Sequence, residues 1–184
     1  MIMTVAEVRQ FIETEESDQA LEARLQALEL SIRAYTNNNF QARAFRAVAV
    51  AMSEGNALMI GTVIPFAVGD TLQITDSDFM SDCLVTVAAI DGNTVTVNEE
   101  LYDESGVVIT KVKYPQDVKM GVLNMLKWEL NNRDKVGVQS ESISRHSVTY
   151  FDMTGDNSTI GYPKALVDFL KPYKKARFGG GIRV

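Results

Sequence analysis

The sequence predicts an α+β chain: a small bundle of about four helices, interrupted by an inserted small β-barrel or sandwich. Three observations predict it. Apolar residues recur at helical spacing in both end segments. Between them, short runs rich in Val, Ile and Thr alternate with turn residues. The charge changes where the pattern changes: residues 45–113 hold ten acidic and three basic side chains, a net of −7, and the remaining residues net +1. The expected division is a helical domain of residues 1–44 and 114–184, with an acidic β domain of residues 45–113.

The elements follow in chain order. Thr4 and Glu7 form a capping-box pattern, and Val5, Val8, Phe11 and Ile12 then make a short amphipathic helix. The acidic link Glu13, Glu15, Glu16 and Asp18 favours the start of a second helix, which Ser17 or Asp18 can cap. Leu21, Leu25, Leu28, Ile32 and Tyr35 stripe that helix, and Asn37-Asn38-Asn39 ends it. The period then shortens. Phe45 to Met52, Leu58 to Val63, Thr71 to Thr75, Leu84 to Ile90, Thr94 to Asn98 and Val107 to Val112 read as strands. Ser53-Glu54-Gly55-Asn56 and Val68-Gly69-Asp70 mark turns, and Asp91-Gly92-Asn93 marks a hairpin.

A third helix is expected from Pro115, whose fixed φ suits a first helical position, to Asn131 or Asn132. Its stripe is Val118, Val122, Met125, Leu126 and Leu130, with Trp128 offset as either the edge of the core or an interface anchor. The polar run from Val136 to Ser147 has little core of its own and is expected to gain its order from a neighbour. Tyr162-Pro163 opens a last short helix carrying Ala165, Leu166, Phe169 and Leu170, which Pro172 ends or kinks.

Composition excludes several classes. With 46% hydrophobic and 23% charged residues, the chain is of globular rather than disordered type. No apolar run approaches the roughly 20 residues of a membrane helix, so no membrane is expected among its partners. The acidic start lacks the pattern of a signal peptide. The single cysteine, Cys83, cannot form an intrachain disulfide and is expected as a buried structural thiol. A net charge of −6 argues against tight wrapping by nucleic acid.

Catalytic motifs are missing. His146 is the only histidine, so a metal site or relay built on two histidines is excluded. Ser140, Glu141, Ser142 and His146 lie close in sequence, yet no GxSxG elbow is present, and triads join distant segments. Asp76, Asp78 and Asp82 lack the glycine and terminal glutamate of an EF-hand and read as a solvated loop. The expectation is a chain without enzymatic activity, metal or cofactor.

The run YPQDVKMGVLNMLKWEL, then VGVQSESIS, then SVTYFD, then YPKALVDFLKPYKKARF, resembles the head-to-tail connector (adaptor) proteins of tailed bacteriophages. LELSIRAYTNNNF near the start is similar to the same family. The resemblance covers roughly residues 1–44 and 114–184 and leaves out the middle; family members often have glycine at the position of Ser144. It implies a structural virion protein forming a ring beneath the portal protein, with twelvefold symmetry, lining the channel through which DNA leaves without specific binding. Its neighbours would be copies of itself, the portal, and a tail-side neck or stopper protein. Assembly would take place in the host cytoplasm and the product would reside in the virion neck.

Interface residues expected from this picture are Trp128, Val138, Ser140, Glu141, Ile143 and Tyr150 around the polar run. In the basic end segment they are Tyr173, Lys174, Lys175 and Arg177, followed by Phe178, Ile182, Arg183 and Val184. Residues 171–184 hold five basic side chains, no acid and three consecutive glycines. They are expected either to order on a partner or to stay a solvated terminus. Two rival functions stand beside the connector: another neck or tail-completion ring protein, and a β module that binds carbohydrate or protein while the helices display it. The middle offers only Phe45, Phe66, Phe79 and Tyr102 as aromatic platforms.

Overall fold

A computed structural model describes residues 1–62, 65–132, 140–143, 146–149 and 157–176, with the segments at 140–143 and 146–149 described as backbone. The chain divides into two compact units, one of residues 1 and 39–113, the other of residues 2–38 and 114–184.

The first unit is a closed antiparallel barrel of six strands: β1 (Gln41–Met52), β2 (Ala57–Ile60), β3 (Thr71–Thr75), β4 (Leu84–Asp91), β5 (Thr94–Val97) and β6 (Glu104–Val112). Their order around the wall is β1-β2-β5-β4-β3-β6, and β6 returns to β1. The expected hairpin is present: β4 meets β5 with Asp91 opposite Thr94, and Gly92 takes φ 54° in the turn, where a side chain would be strained. Leu58, Ile60, Leu72, Ile74, Val85, Val95, Val107 and Ile109 fill the interior, and Ala47, Ala49 and Ala51 of β1 face inward among them. Strand β1 starts four residues before the expected Phe45, because Gln41–Ala44 alternate only with alanine and carry no β-branched or aromatic residue to reveal a strand. Closure leaves no unpaired sheet edge.

The second unit holds α1 (Val5–Arg9), α2 (Asp18–Thr36), α3 (Gln116–Asn132) and α4 (Lys164–Val167), the last running into a 3₁₀ turn at Asp168–Tyr173. It also holds two small hairpins, β7 (Ser140–Ile143) with β8 (His146–Thr149), and β9 (Ser158–Thr159) with β10 (Tyr162–Pro163). Capping fixes the helix starts. Thr4 and Glu7 form the reciprocal box on α1, and Ser17 accepts the Ala20 amide of α2. Helix α2 ends at Asn37 in the left-handed conformation, φ 50°. Pro115 sits just before α3 instead of in its first turn, its carbonyl accepting from Lys119 N at 3.1 Å. Leu21, Leu25, Leu28 and Ile32 of α2 are buried, as are Val118, Val122, Met125 and Leu126 of α3. Gly121 leaves room for the Phe169 ring, which lies only 2.2 Å from where a β-carbon would stand.

This overturns the expectation of a helical bundle interrupted by an inserted β domain. The architecture is mostly β, built on the six-stranded antiparallel barrel, and among the described residues only α2 and α3, of 19 and 17 residues, are long helices. Helix α1 stops at Arg9 because that side chain turns back on the following segment, and α4 has four residues before the chain tightens into the 3₁₀ turn with Pro172 inside it. Two hairpins occupy sequence that showed polar runs and a loop. The first boundary between the units falls at Asn38–Asn39, ahead of the expected residues 44–45.

Candidate functional site

The functional surfaces lie mostly in the second unit. At the C-terminal end of α2, the segment after the 3₁₀ turn is held by several bonds. Lys175 N donates to Thr36 O at 2.8 Å, Asn37 Nδ2 to Ala176 O at 3.2 Å, and Asn38 Nδ2 to Tyr173 O at 3.2 Å. The Lys174 ammonium lies 3.7 Å from the centre of the Tyr35 ring, and the Tyr173 hydroxyl donates to Asp117 at 2.6 and 2.8 Å. The hydrogen bond to Asp117, and its charge, raise the Tyr173 phenol above its ordinary range. The first six residues of the basic end segment are thus fixed on their own unit by the asparagines that end α2. The expectation of an end segment ordered only by a partner does not hold for residues 171–176.

The opposite end of α2 carries a groove of about 840 Å³ between the α1–α2 link and the last turns of α3. Phe11, Ile12 and Leu130 give it apolar surface, and Glu13, Glu15, Glu16 and Lys127 give it charge. Arg9 shapes its wall. The guanidinium donates to the carbonyls of Thr14 at 3.2 Å and Glu16 at 2.9 Å, and to Asp18 Oδ1 at 2.6 and 3.0 Å. Those bonds tie the link, and the first residue of α2, back to α1. Arg24 then ties Glu16 to Glu129, each contact at 3.0 Å. Glu13 and Glu15 remain exposed. Phe11, expected on the buried face of the first helix, lies beyond the end of α1 and is 60% exposed.

Trp128 is half-buried, and Tyr162 meets it edge-on at 5.5 Å between ring centres. The Tyr162 hydroxyl donates to Glu129, the acid that Arg24 also engages. Trp128 therefore belongs to a packed aromatic–acid–arginine cluster at the edge of the core. Ser140, Glu141 and Ile143 lie on β7, opposite Thr149, Val148 and His146 of β8. His146 is therefore the hairpin neighbour of Ile143. Val138, Tyr150, Arg177, Phe178, Ile182, Arg183 and Val184 lie outside the described residues.

On the barrel, Phe79 and Tyr102 are 70% and 60% exposed and pair at 6.1 Å. Glu104 organises the loop that carries Phe79, accepting from Ser77 Oγ at 2.5 Å and Asp78 N at 2.8 Å. These bonds, led by the one from Ser77, lower its carboxyl below the ordinary range. Phe66 is buried. Asp82 Oδ1 accepts from Gln73 at 2.7 Å, and no cluster of three His, Cys, Asp or Glu able to hold a metal occurs among the described residues. Cys83 is exposed, contrary to expectation, because it lies in the turn entering β4, where its carbonyl takes the Ile74 amide at 2.9 Å.

The sequence reasoning missed the groove and the aromatic pair. Both combine residues from separate segments, and no local pattern signals either; Phe11 itself fits the apolar period of the first helix. No helix among the described residues is long and apolar enough to cross a membrane. No family model matches the chain, and no curated protein matches it.

Proposed function

We propose that the chain is a structural subunit of a head-to-tail connector in a tailed-phage virion. It forms a ring beneath the portal, twelvefold where it meets it, and lines the channel by which DNA leaves. The carrying observation is the run from Tyr114 to Phe151 with the YPKALVDFLKPYKKARF segment after it, which resembles connector proteins in order and spacing. The charge layout supports subunit contact of head-to-tail type. Acids crowd the start of α2 and bases crowd the segment beyond its end, and heterologous contacts of that kind close into rings when the rotation permits. The chain acts without enzymatic activity, metal or cofactor. A barrel rich in carboxylates lets passing DNA slide without being held. The partners are further copies, the portal and a tail-side neck or stopper protein, with assembly in the host cytoplasm and residence in the virion neck. A different neck or tail-completion ring protein would share these features and differ in its neighbour.

Electron microscopy of the chain mixed with the portal from the same phage tests this. The expected result is a ring stacked on the portal. Chains that stay monomeric and leave the portal bare would refute it. A second reading, the barrel as a module binding carbohydrate or protein, is favoured by the exposed Phe79–Tyr102 pair. Binding lost in Phe79→Ala while ring assembly persists would identify that role.

A further inference from the structure

We infer that the groove at the N-terminal end of α2 receives residues 177–184 of a second copy of the chain, in a contact where Phe178 covers Phe11 and the arginines flank Glu13 and Glu15. The inference rests on the reading that copies assemble with one another, and it names the surface and the segment that would join them. Three observations carry it.

The groove is built, and no described residue covers it. Its wall is fixed by the Arg9 bonds to Thr14, Glu16 and Asp18, so little order has to be created on binding. Phe11 nonetheless stands 60% exposed at its mouth. Among the described residues, no ion pair engages Glu13 or Glu15, whereas Glu16 and Asp18 are already held by Arg24 and Arg9.

Charge and apolarity match the proposed occupant. Residues 177–184 read RFGGGIRV: two arginines, three apolar side chains and no acid. A segment with a bulky ring and cations beside it suits a groove with an exposed ring and free carboxylates beside it.

Geometry keeps Phe178 out of its own chain's groove. Ala176 is fixed at the far end of α2 by Asn37, at 3.2 Å. Helix α2 has 19 residues and spans about 28 Å. Phe178 is two residues beyond Ala176 and can reach roughly 7 Å from it, so its own groove is out of range. Donor and acceptor therefore lie at opposite ends of one helix. A contact between copies built from them is heterologous, the kind that generates rings or filaments.

The test uses a fluorescent peptide of residues 177–184 titrated into the chain ending at Ala176, read by anisotropy. Saturable binding is expected, weakened about tenfold by Phe11→Ala and by a similar factor in the Glu13→Lys, Glu15→Lys double variant. The second loss should be reproduced in the wild-type groove by raising salt. The substituted side chains are exposed, and unchanged circular dichroism and melting would confirm that the variants fold. Absence of saturable binding, or binding indifferent to both variants, overturns the inference. Sedimentation of the full chain, and ring formation on the portal, separate it from the connector reading. Self-association that depends on Phe11, with no ring on the portal, leaves the inference standing and removes the connector. Portal rings that form equally well with Phe11→Ala and with the chain ending at Ala176 do the reverse.

Discussion

Glu29 shows how one buried carboxylate organises its surroundings. It lies on α2, 3% exposed, and accepts from Ile2 N at 3.1 Å and from the Tyr114 hydroxyl at 2.8 Å. A buried charge of this kind is tolerable only while its hydrogen bonds are made. Burial first, and then the charge of Glu29, push the Tyr114 phenol well above its ordinary range, with Arg33 pulling the other way. Tyr114→Phe leaves Oε1 of Glu29 without that donor and should destabilise the chain by about 1–3 kcal/mol. The pH dependence has a definite sign. A folded phenol that resists ionisation contributes stability in full below about pH 10, where the unfolded phenol is also neutral, and loses it as pH rises further. The gap between wild type and Tyr114→Phe in urea denaturation should therefore be constant between pH 7 and 9 and narrow above pH 10. A gap that widens there, or is missing at pH 7, would show that Tyr114 does not hold Glu29.

Strand β1 illustrates what an element can and cannot declare in its sequence. Its apolar period of two was legible, and so were five further strands, because Val, Ile and Thr alternate between turn residues. Which face of β1 turns inward was not legible, since both are apolar. The structure puts Ala47, Ala49 and Ala51 inside and leaves Val48 and Val50 outside, 61% and 44% exposed. The cause lies in the neighbours. Ala51 and Ala49 oppose Leu58 and Ile60 on β2, while Ala49 and Ala47 oppose Val107 and Ile109 on β6. Large side chains on both flanks fill a narrow barrel and leave room only for methyl groups between them. The same limit explains the other misses. Pairing of β1 with β6 joins residues about 60 apart, which no local pattern reveals. Ser140–Ile143 has too few β-branched residues to announce a strand. Phe11 fits the apolar period of α1, but Arg9 ends that helix by bonding the link. The interior placement predicts that Ala49→Leu overpacks the barrel and costs about 1–3 kcal/mol, whereas Val50→Thr stays within about 0.5 kcal/mol. Equal urea midpoints for the two variants would contradict the assigned faces.

The whole chain consists of two units with separate cores, and the barrel has what a free-standing domain needs. Its interior cluster is drawn from Ala47 to Ile109. Its first and last strands pair with one another, with Gln41 opposite Val112, so the ends of the segment lie side by side. Lys113 N also donates to Phe40 O at 2.9 Å, closing the same seam one step further. Every barrel strand has two neighbours, which leaves no edge to recruit other chains. Polar ties reinforce it: Lys111 meets Asp70 at 2.6 Å, and Asp103 accepts from Ser53 N and Oγ at 2.7 and 2.9 Å. A domain of this size has a modest margin, since short chains bury a smaller share of their surface. Residues 39–113 expressed alone should therefore fold as a monomer with a β-type circular dichroism spectrum and a single cooperative melt. With ten acidic and four basic side chains, this fragment should not retain duplex DNA at physiological salt. A fragment that is unfolded, or that melts without cooperativity, would mean that the barrel depends on the rest of the chain. In that case the division at Asn38–Asn39 and Lys113–Tyr114 would mark a change of architecture within one cooperative core.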